Sequence, residues 1–173
     1  MLQKSFEKIT IKQICDKTGV IRATFYNYFE DKYAALSYII YLDTVETALP
    51  YIEKRQFLQA VKAMLDNFVE NREFYQIAFR ITGQNSFEDL FEENIQQLFA
   101  EMFRRYGRPE KLGTMSEEEL AGYFGNSLCY TVNHWLCRNR GMDSETFLKQ
   151  YGFVVTSSIF DFLDMSQADG KGF

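Results

Sequence analysis

Apolar residues recur every three or four positions along most of this chain, which is the spacing of an amphipathic helix. The longest such stripe includes Phe87, Phe91, Ile95 and Leu98. The closely spaced turn residues that would indicate a β-sheet protein are absent, since the 173 residues include only 10 glycines and 2 prolines. The pattern predicts an all-α protein.

Two short helices are predicted near the start of the chain. Thr10 and Gln13 have the spacing of a capping box, which predicts a helix over residues 11–18 that ends at Gly19 as a left-handed cap. A second short helix is predicted over residues 21–29. Two short helices joined by a glycine-containing turn form a helix-turn-helix, whose second helix fits the major groove of DNA.

The second predicted helix carries side chains suited to reading DNA. Phe25 and Phe29 lie four residues apart and are predicted to share the inward face. The opposite face then presents Arg22 and Asn27, which can read guanine and adenine edges, and Ala23, which can contact a thymine methyl group. Tyrosines on this helix could instead pack inside the head. Thr10, Lys12, Tyr28 and Lys32 are predicted to contact phosphates. The full set of predicted DNA-binding residues is Thr10, Lys12, Arg22, Ala23, Thr24, Tyr26, Asn27, Tyr28 and Lys32.

The charge distribution agrees with this placement. The formal net charge of −5 and the pI near 5.0 argue, taken alone, against a protein that coats nucleic acid. Residues 1–33, however, carry a net charge of +2, and the rest of the chain carries −7. An anionic partner is therefore expected to contact the first 33 residues.

The amino-acid sequence of residues 6–32 resembles the DNA-binding signature of the TetR/AcrR family of bacterial transcriptional regulators. Residues 6–32 read FEKITIKQICDKTGVIRATFYNYFEDK. The matching pieces are Ile9-Thr10, Ile14, Gly19-Val20, Thr24-Phe25-Tyr26, Tyr28-Phe29 and Lys32. Further along, GMDSETF at residues 141–147 resembles the C-terminal part of the subgroup that contains dihydroxyacetone-operon regulators.

The resemblance implies an all-helical homodimer with an N-terminal DNA-binding head and a C-terminal body that holds a small-molecule effector. The expected division is a helix-turn-helix head over 1–45, an effector-binding and dimerisation body over 46–165, and a polar tail over 166–173. The function expected from it is repression at a pseudo-palindromic operator, relieved by the effector. The effector, the operator and the sign of regulation cannot be read from the sequence.

Two departures from the family pattern support an alternative reading. Ile21 stands where the family commonly has serine, so a cap or phosphate contact of the second helix is lost. The family also has a full helix before the first motif helix, which Met1–Ser5 is too short to supply. A truncated chain or a misassigned gene start is therefore expected. The alternative is a helical ligand-binding or interaction module whose head does not bind DNA.

The body contains many aromatic and methionine residues at helical spacing, which first of all predict a core. The residues that could also line an effector pocket are Tyr51, Tyr75, Phe79, Phe99, Met102, Tyr130 and His134. His134 fits a hydrogen-bonded interior position better than a ligand contact. The small residues at 121, 122 and 125 allow close helix approach, within the chain or across a dimer. The predicted dimer-interface residues are Ala121, Gly125, Leu128, Val155, Ile159 and Phe162.

No arrangement of residues typical of an enzyme is found. The chain has one histidine and three cysteines at spacings that suggest neither a disulfide framework nor a metal site. No nucleophile–base pair or phosphate loop is present, so no catalytic residue, metal or cofactor is expected. The longest apolar-rich run, Ala34–Leu42, is too short to span a membrane. These features predict a cytoplasmic protein with reduced cysteines.

Overall fold

The start of the chain forms short helices in the computed structural model, which describes residues 5–83, 86–108, 110, 113–138, 141–157 and 159–162. A 3-10 turn over Phe6–Lys8 precedes the predicted helix-turn-helix. Its two helices are α1 (Ile11–Thr18) and α2 (Arg22–Tyr28), and α3 (Lys32–Tyr41) follows. The second helix is thus one residue shorter at each end than predicted.

The remaining helices form the body. A π-helical segment, Leu42–Glu46, links α3 to α4 (Thr47–Ile52). The later elements, in chain order, are α5 (Phe57–Glu70), α6 (Arg72–Ala78), α7 (Phe87–Tyr106), α8 (Glu117–Arg138), α9 (Ser144–Thr156) and a 3-10 turn (Ile159–Phe162). The described residues contain helices and no strand, which confirms the all-α prediction. The polar tail predicted over 166–173 lies outside them.

Local capping determines both ends of α1. The Thr10 hydroxyl accepts a hydrogen bond from the Gln13 amide at 3.3 Å, and the Gln13 side chain accepts one from the Thr10 amide at 3.1 Å. Gly19 ends the helix with φ of 73°, a left-handed conformation that glycine adopts without steric penalty. The prediction from the capping box is therefore confirmed, including the first and last residues.

From the sequence, a third helix is predicted that is capped by Asp31 and ends before Pro50, but the helical stretch continues to Ile52, so that prediction is wrong. Proline removes the one hydrogen bond that its own nitrogen would donate. Ala48 and Ile52, on either side of it, are 0% and 1% exposed, and burying them stabilises the helix through the proline. The predicted domain boundary between residues 45 and 46 falls within this continuous helical stretch.

The core of the body is rich in aromatic side chains. The ring of Phe68 lies 4.7 Å from that of Tyr75, and the ring of Phe79 lies 4.8 Å from that of Phe87. Helix α3 extends this core toward the head, because its Leu36 and Ile40 are both buried in it. The head and the body thus share packed side chains along α3.

Helices α7 and α8 make the most extensive helix–helix contact of the body. Their close approach depends on Gly125, where an added Cβ would lie 2.9 Å from Cγ and 3.3 Å from Cα of Gln96. No helix of the described residues is long and apolar enough to cross a membrane.

Candidate functional site

One aromatic face holds α2 against the rest of the head. Phe25 is 7% exposed, and its ring centroid lies 5.4 Å from that of Phe29. Phe29 in turn lies 5.6 Å from Tyr38 of α3. This packing orients α2 so that its opposite side faces solvent, where a DNA groove could receive it.

The solvent-facing side of α2 carries most of the residues predicted to contact bases. Its exposed members are Arg22, Ala23, Tyr26, Asn27 and Tyr28. Thr24 is half-buried. Tyr28 is 77% exposed, so it does not pack inside the head. The structure therefore brings together on one accessible surface the side chains that hydrogen-bond guanine and adenine edges.

The residue immediately before α2, Ile21, is apolar and exposed. Ile21 occupies the N-cap position, makes no side-chain capping bond and is 69% exposed. The absence of this cap agrees with the expectation from the sequence. Ile21 therefore adds an apolar side chain, rather than a hydroxyl, to the N-terminal end of the candidate recognition helix.

Thr10 and Lys12 lie at the start of α1 and are both exposed. The Thr10 oxygen accepts the capping bond from Gln13, which leaves the hydroxyl proton available to donate to a phosphate. Lys12 has no hydrogen-bond partner or ion pair among the described residues. Both groups are placed where phosphate contacts could position the head on DNA.

Lys32 is directed at the chain itself rather than at solvent. Its Nζ donates to the carbonyl oxygens of Phe6 and Glu7 at 2.9 Å and of Ile9 at 3.1 Å. The same atom lies 4.9 Å from the centroid of the Phe6 ring. All three ammonium protons are used in this way, so Lys32 ties the segment before α1 to the start of α3. A phosphate contact would have to replace one of these bonds.

The body contains a cavity of about 240 Å³ between α5, α7, α8, α9 and the end of α4. Its lining side chains are apolar except for the Tyr151 hydroxyl, which has no hydrogen-bond partner among the described residues. The lining residues are Ile52, Phe57, Leu58, Ala60, Val61, Met64, Leu98, Phe99, Met102, Phe103, Phe124, Leu128, Tyr151 and Val155.

Two of the seven residues predicted for an effector pocket, Phe99 and Met102, line this cavity. Tyr75 and Phe79 instead pack in the aromatic core. Tyr51 lies outside the cavity and is 37% exposed.

Tyr130 and His134 stack on each other at 6.3 Å between ring centroids on the outer surface of α8. His134 is exposed, so the expectation of an interior histidine is wrong. The buried side of α8 consists of residues such as Val132, Trp135 and Leu136, and His134 lies on the other, exposed side of the helix.

The residues predicted for the dimer interface mostly face the interior of the protomer. Ala121 and Gly125 are buried, and Gly125 packs on α7. Leu128 and Val155 line the cavity. The side chain of Ile159 lies outside the described residues. Of the five residues whose side chains are described, only Phe162 is exposed, at 52%.

A different set of large apolar side chains is exposed on the last two helices. On α8, Tyr123 is 68% and Tyr130 is 72% exposed, and their spacing of seven residues places them on one side. On α9, Phe153 is 61% and Val154 is 56% exposed. Tyrosine and phenylalanine on an otherwise polar surface are typical of a protein-binding face.

Three ionisable groups are buried in the body, and their pKa values are raised. Burial, together with the hydrogen bond to the Asp43 carboxylate, raises the pKa of Tyr75. Burial also raises the pKa of Cys129 and that of Tyr151, with smaller contributions from Glu92 and Glu88 to the former and from Cys129 to the latter. All three side chains are therefore protonated at neutral pH. The part of the chain that the structure describes contains no group of three or more metal-ligating side chains.

Comparison with known proteins places the body among transcriptional regulators. Residues 55–156 match the TetR-type family model described as "Transcriptional regulator C-terminal region". A crystal structure from Syntrophomonas wolfei str. Goettingen, assigned to the TetR family of transcriptional regulators, shares the fold with a TM-score of 0.64 at 16% identity. The similarity covers 90% of this chain and 86% of that one. A comparison with curated proteins found no match.

Proposed function

The chain belongs to the TetR family of transcriptional regulators, and on this premise we propose that it is a homodimeric repressor. It binds a pseudo-palindromic operator through α1 and α2, and a small-molecule effector bound in the body releases it. The observation that carries this proposal is the accessible face of α2, on which Arg22 and Asn27 lie opposite the buried Phe25. The free thiols of Cys15 and Cys129 agree with the cytoplasmic location that this function requires.

The distribution of charge determines how the protein approaches DNA. Residues 1–33 carry +2, whereas the remaining residues carry −7, so the body repels phosphates. Binding then depends on the correct docking of the head, and affinity falls as salt concentration rises. In a two-fold dimer, two copies of α2 enter major-groove half-sites about one helical turn apart.

Arg22→Ala is expected to weaken operator binding by about 1–3 kcal/mol and to relax the preference at one base pair, because it removes a bidentate base contact. The operator is first selected from random duplexes with the full chain, and affinities are then measured by fluorescence anisotropy for the selected site and its single-base variants.

Arg80→Ala is the matched control, since Arg80 is an exposed arginine of the body. It should leave both affinity and base preference unchanged. If Arg22→Ala behaved like this control, α2 would not be the recognition helix. If the unmodified chain selected no sequence at all, the alternative of a module that does not bind DNA would be favoured.

The proposed dimer uses the exposed apolar faces of α8 and α9. The double substitution Tyr130→Glu and Phe153→Glu places two charges on these faces, and a buried unpaired charge is strongly unfavourable. Light scattering is expected to give twice the 20.4 kDa chain mass for the unmodified protein and the single mass for the variant. Val69→Glu, at a 40% exposed site on α5, should remain dimeric. A dimeric double variant would place the interface elsewhere.

A further inference from the structure

The cavity of the body has a size that limits what it can hold. A cavity of about 150 Å³ lined by leucine, isoleucine and phenylalanine is known to bind benzene. At about 240 Å³, this cavity has room for a molecule larger than one aromatic ring. A bicyclic aromatic compound or a medium-length aliphatic chain fits that volume.

The lining disfavours a charged group placed inside the cavity. None of the fourteen lining residues carries a charge at neutral pH. A carboxylate or ammonium group would lose its hydration without gaining a counter-charge, which is strongly unfavourable in apolar surroundings. Favourable binding must therefore come from apolar contact with side chains such as Phe99, Met102 and Phe124.

The Tyr151 hydroxyl is the one polar side-chain group of the lining with a hydrogen to donate. Tyr151 is 6% exposed, and its hydroxyl has no partner among the described residues. The hydroxyl oxygen keeps some accessible surface, because the fully buried side-chain polar atom without a partner among the described residues is Nη1 of Arg72. A single hydroxyl or carbonyl oxygen on the ligand could therefore form a hydrogen bond with it.

The cavity also contacts the helical stretch that leads to the head. Ile52, at the end of α4, lines the cavity and is 1% exposed. From there the helix runs back without a break through the π-helical segment to α3 and Lys32. A molecule that fills the cavity would contact one end of this helical stretch, whose other end lies in the DNA-binding head.

We infer that this cavity is the effector site and that it binds an uncharged, predominantly apolar molecule of about the size of a bicyclic aromatic, with one oxygen facing Tyr151. The regulatory part of this inference rests on the proposed function. The ligand class is tested separately from DNA binding.

The probes are matched pairs of neutral and charged compounds: 1-naphthol against 1-naphthoate, and 1-octanol against octanoate. Thermal unfolding of the full chain without DNA is expected to show a rise in Tm of about 3–6 °C with a neutral probe at about ten times its Kd. The charged partners should give no rise at the same concentrations. An equal rise with 1-naphthoate, or no rise with any neutral probe, would overturn the ligand class.

Two substitutions that fill the cavity test its location. Val155→Phe and Leu58→Trp each add volume at partly exposed lining positions, so folding should be preserved. Either variant should abolish the rise in Tm with 1-naphthol, whereas Val69→Phe, on the same helix as Leu58 but outside the lining, should retain it. Retention in both filled variants would show that the probe binds elsewhere.

Tyr151→Phe separates the polar contact from apolar filling. It should weaken 1-naphthol about 3- to 10-fold and leave naphthalene unchanged, because only 1-naphthol can use the hydroxyl. Equal effects on both compounds would mean that the Tyr151 hydroxyl does not bond to the ligand.

A probe that binds the unmodified chain but leaves affinity for the selected operator unchanged would overturn the regulatory assignment. Failure of the chain to bind DNA would contradict only the proposed function, since probe binding is measured without DNA.

Discussion

Replacement of Lys32 by methionine should lower the free energy of unfolding by about 2–4 kcal/mol in the absence of DNA, because it removes three hydrogen bonds from a charged donor and a contact between a cation and an aromatic ring. The aliphatic part of the side chain is kept, so the change isolates the ammonium group. Urea denaturation followed by circular dichroism measures the loss.

The reason for this large effect is the position of the ammonium group. It lies at the carbonyl end of the 3-10 turn Phe6–Lys8, where a positive charge stabilises the exposed carbonyl dipoles. Phe6 is buried in the core beside Tyr33, at 5.2 Å between ring centroids. Without Lys32, the segment before α1 loses its link to α3, and the orientation of α1 and α2 is no longer fixed.

Lys12→Met is the matched control for a phosphate contact. Lys12 is exposed and has no partner among the described residues, so its replacement should change stability by less than about 0.5 kcal/mol. It should instead weaken all DNA sequences alike and reduce the salt slope by about 1. If Lys32→Met gave this same pattern, with unchanged stability, Lys32 would be a phosphate ligand and the positioning role would be wrong.

The first helices could be predicted from the sequence because their ends depend on neighbouring residues. The capping box of α1 joins Thr10 and Gln13, only three positions apart, and Gly19 provides the left-handed residue that ends the helix. The inward face of α2 follows similarly from the four-residue spacing of Phe25 and Phe29. Interactions of this range are visible in the sequence itself.

The continuation of α4 through Pro50 could not be predicted in the same way. A proline inside a helical pattern is a local signal for an end. Here the packing of Ala48 and Ile52 against residues distant in the sequence outweighs it. Lys32 shows the same limit, because its carbonyl partners lie 23 to 26 residues earlier in the chain.

A pocket lined by aromatic residues in the body could be predicted from the sequence, but most of its lining residues could not. A cavity is space left between helices, and an aromatic stripe looks the same whether it fills that space or borders it. Tyr75 and Phe99 both belong to apolar stripes with helical spacing, yet Tyr75 is buried in the core and Phe99 lines the cavity. The contribution of Tyr151 has no signal in the sequence, because it depends on how α9 packs against α5.

The two sides of α8 explain why most of the residues predicted for the dimer interface are buried within the protomer. Both sides carry apolar residues, so the sequence alone does not say which one faces the rest of the chain. Small residues such as Gly125 indicate close approach, and that approach is made to α7 within the protomer. Tyr123 and Tyr130 remain on the outer side.

Raising the pH from 8 to 11 should reduce the free energy of unfolding by about 5 kcal/mol, because three buried groups keep their protons only in the folded state. Tyr75, Cys129 and Tyr151 have raised pKa values when folded. The unfolded chain loses these protons near the ordinary values for cysteine and tyrosine, so unfolding releases protons and is favoured as pH rises. Their contribution is complete below about pH 8 and decreases steadily above it.

The expected slope follows from the number of groups. Each contributes about 1.4 kcal/mol per pH unit once the unfolded form is ionised, so the slope steepens from one group above about pH 9 to three groups above about pH 10. Since the total stability of a small protein is about 5–15 kcal/mol, the chain should approach unfolding near pH 11. Urea denaturation at half-unit pH intervals measures the slope, and tyrosinate absorbance follows ionisation directly.

Tyr151→Phe and Tyr130→Phe form the test pair for this slope. Tyr151 has no hydrogen-bond partner to lose, so its replacement should preserve stability at pH 8 and make the slope above pH 10 shallower by about 1.4 kcal/mol per pH unit. Tyr130 is 72% exposed, and its replacement should leave the slope as it is in the unmodified chain. Equal slopes in both variants would mean that the Tyr151 hydroxyl ionises in the folded protein.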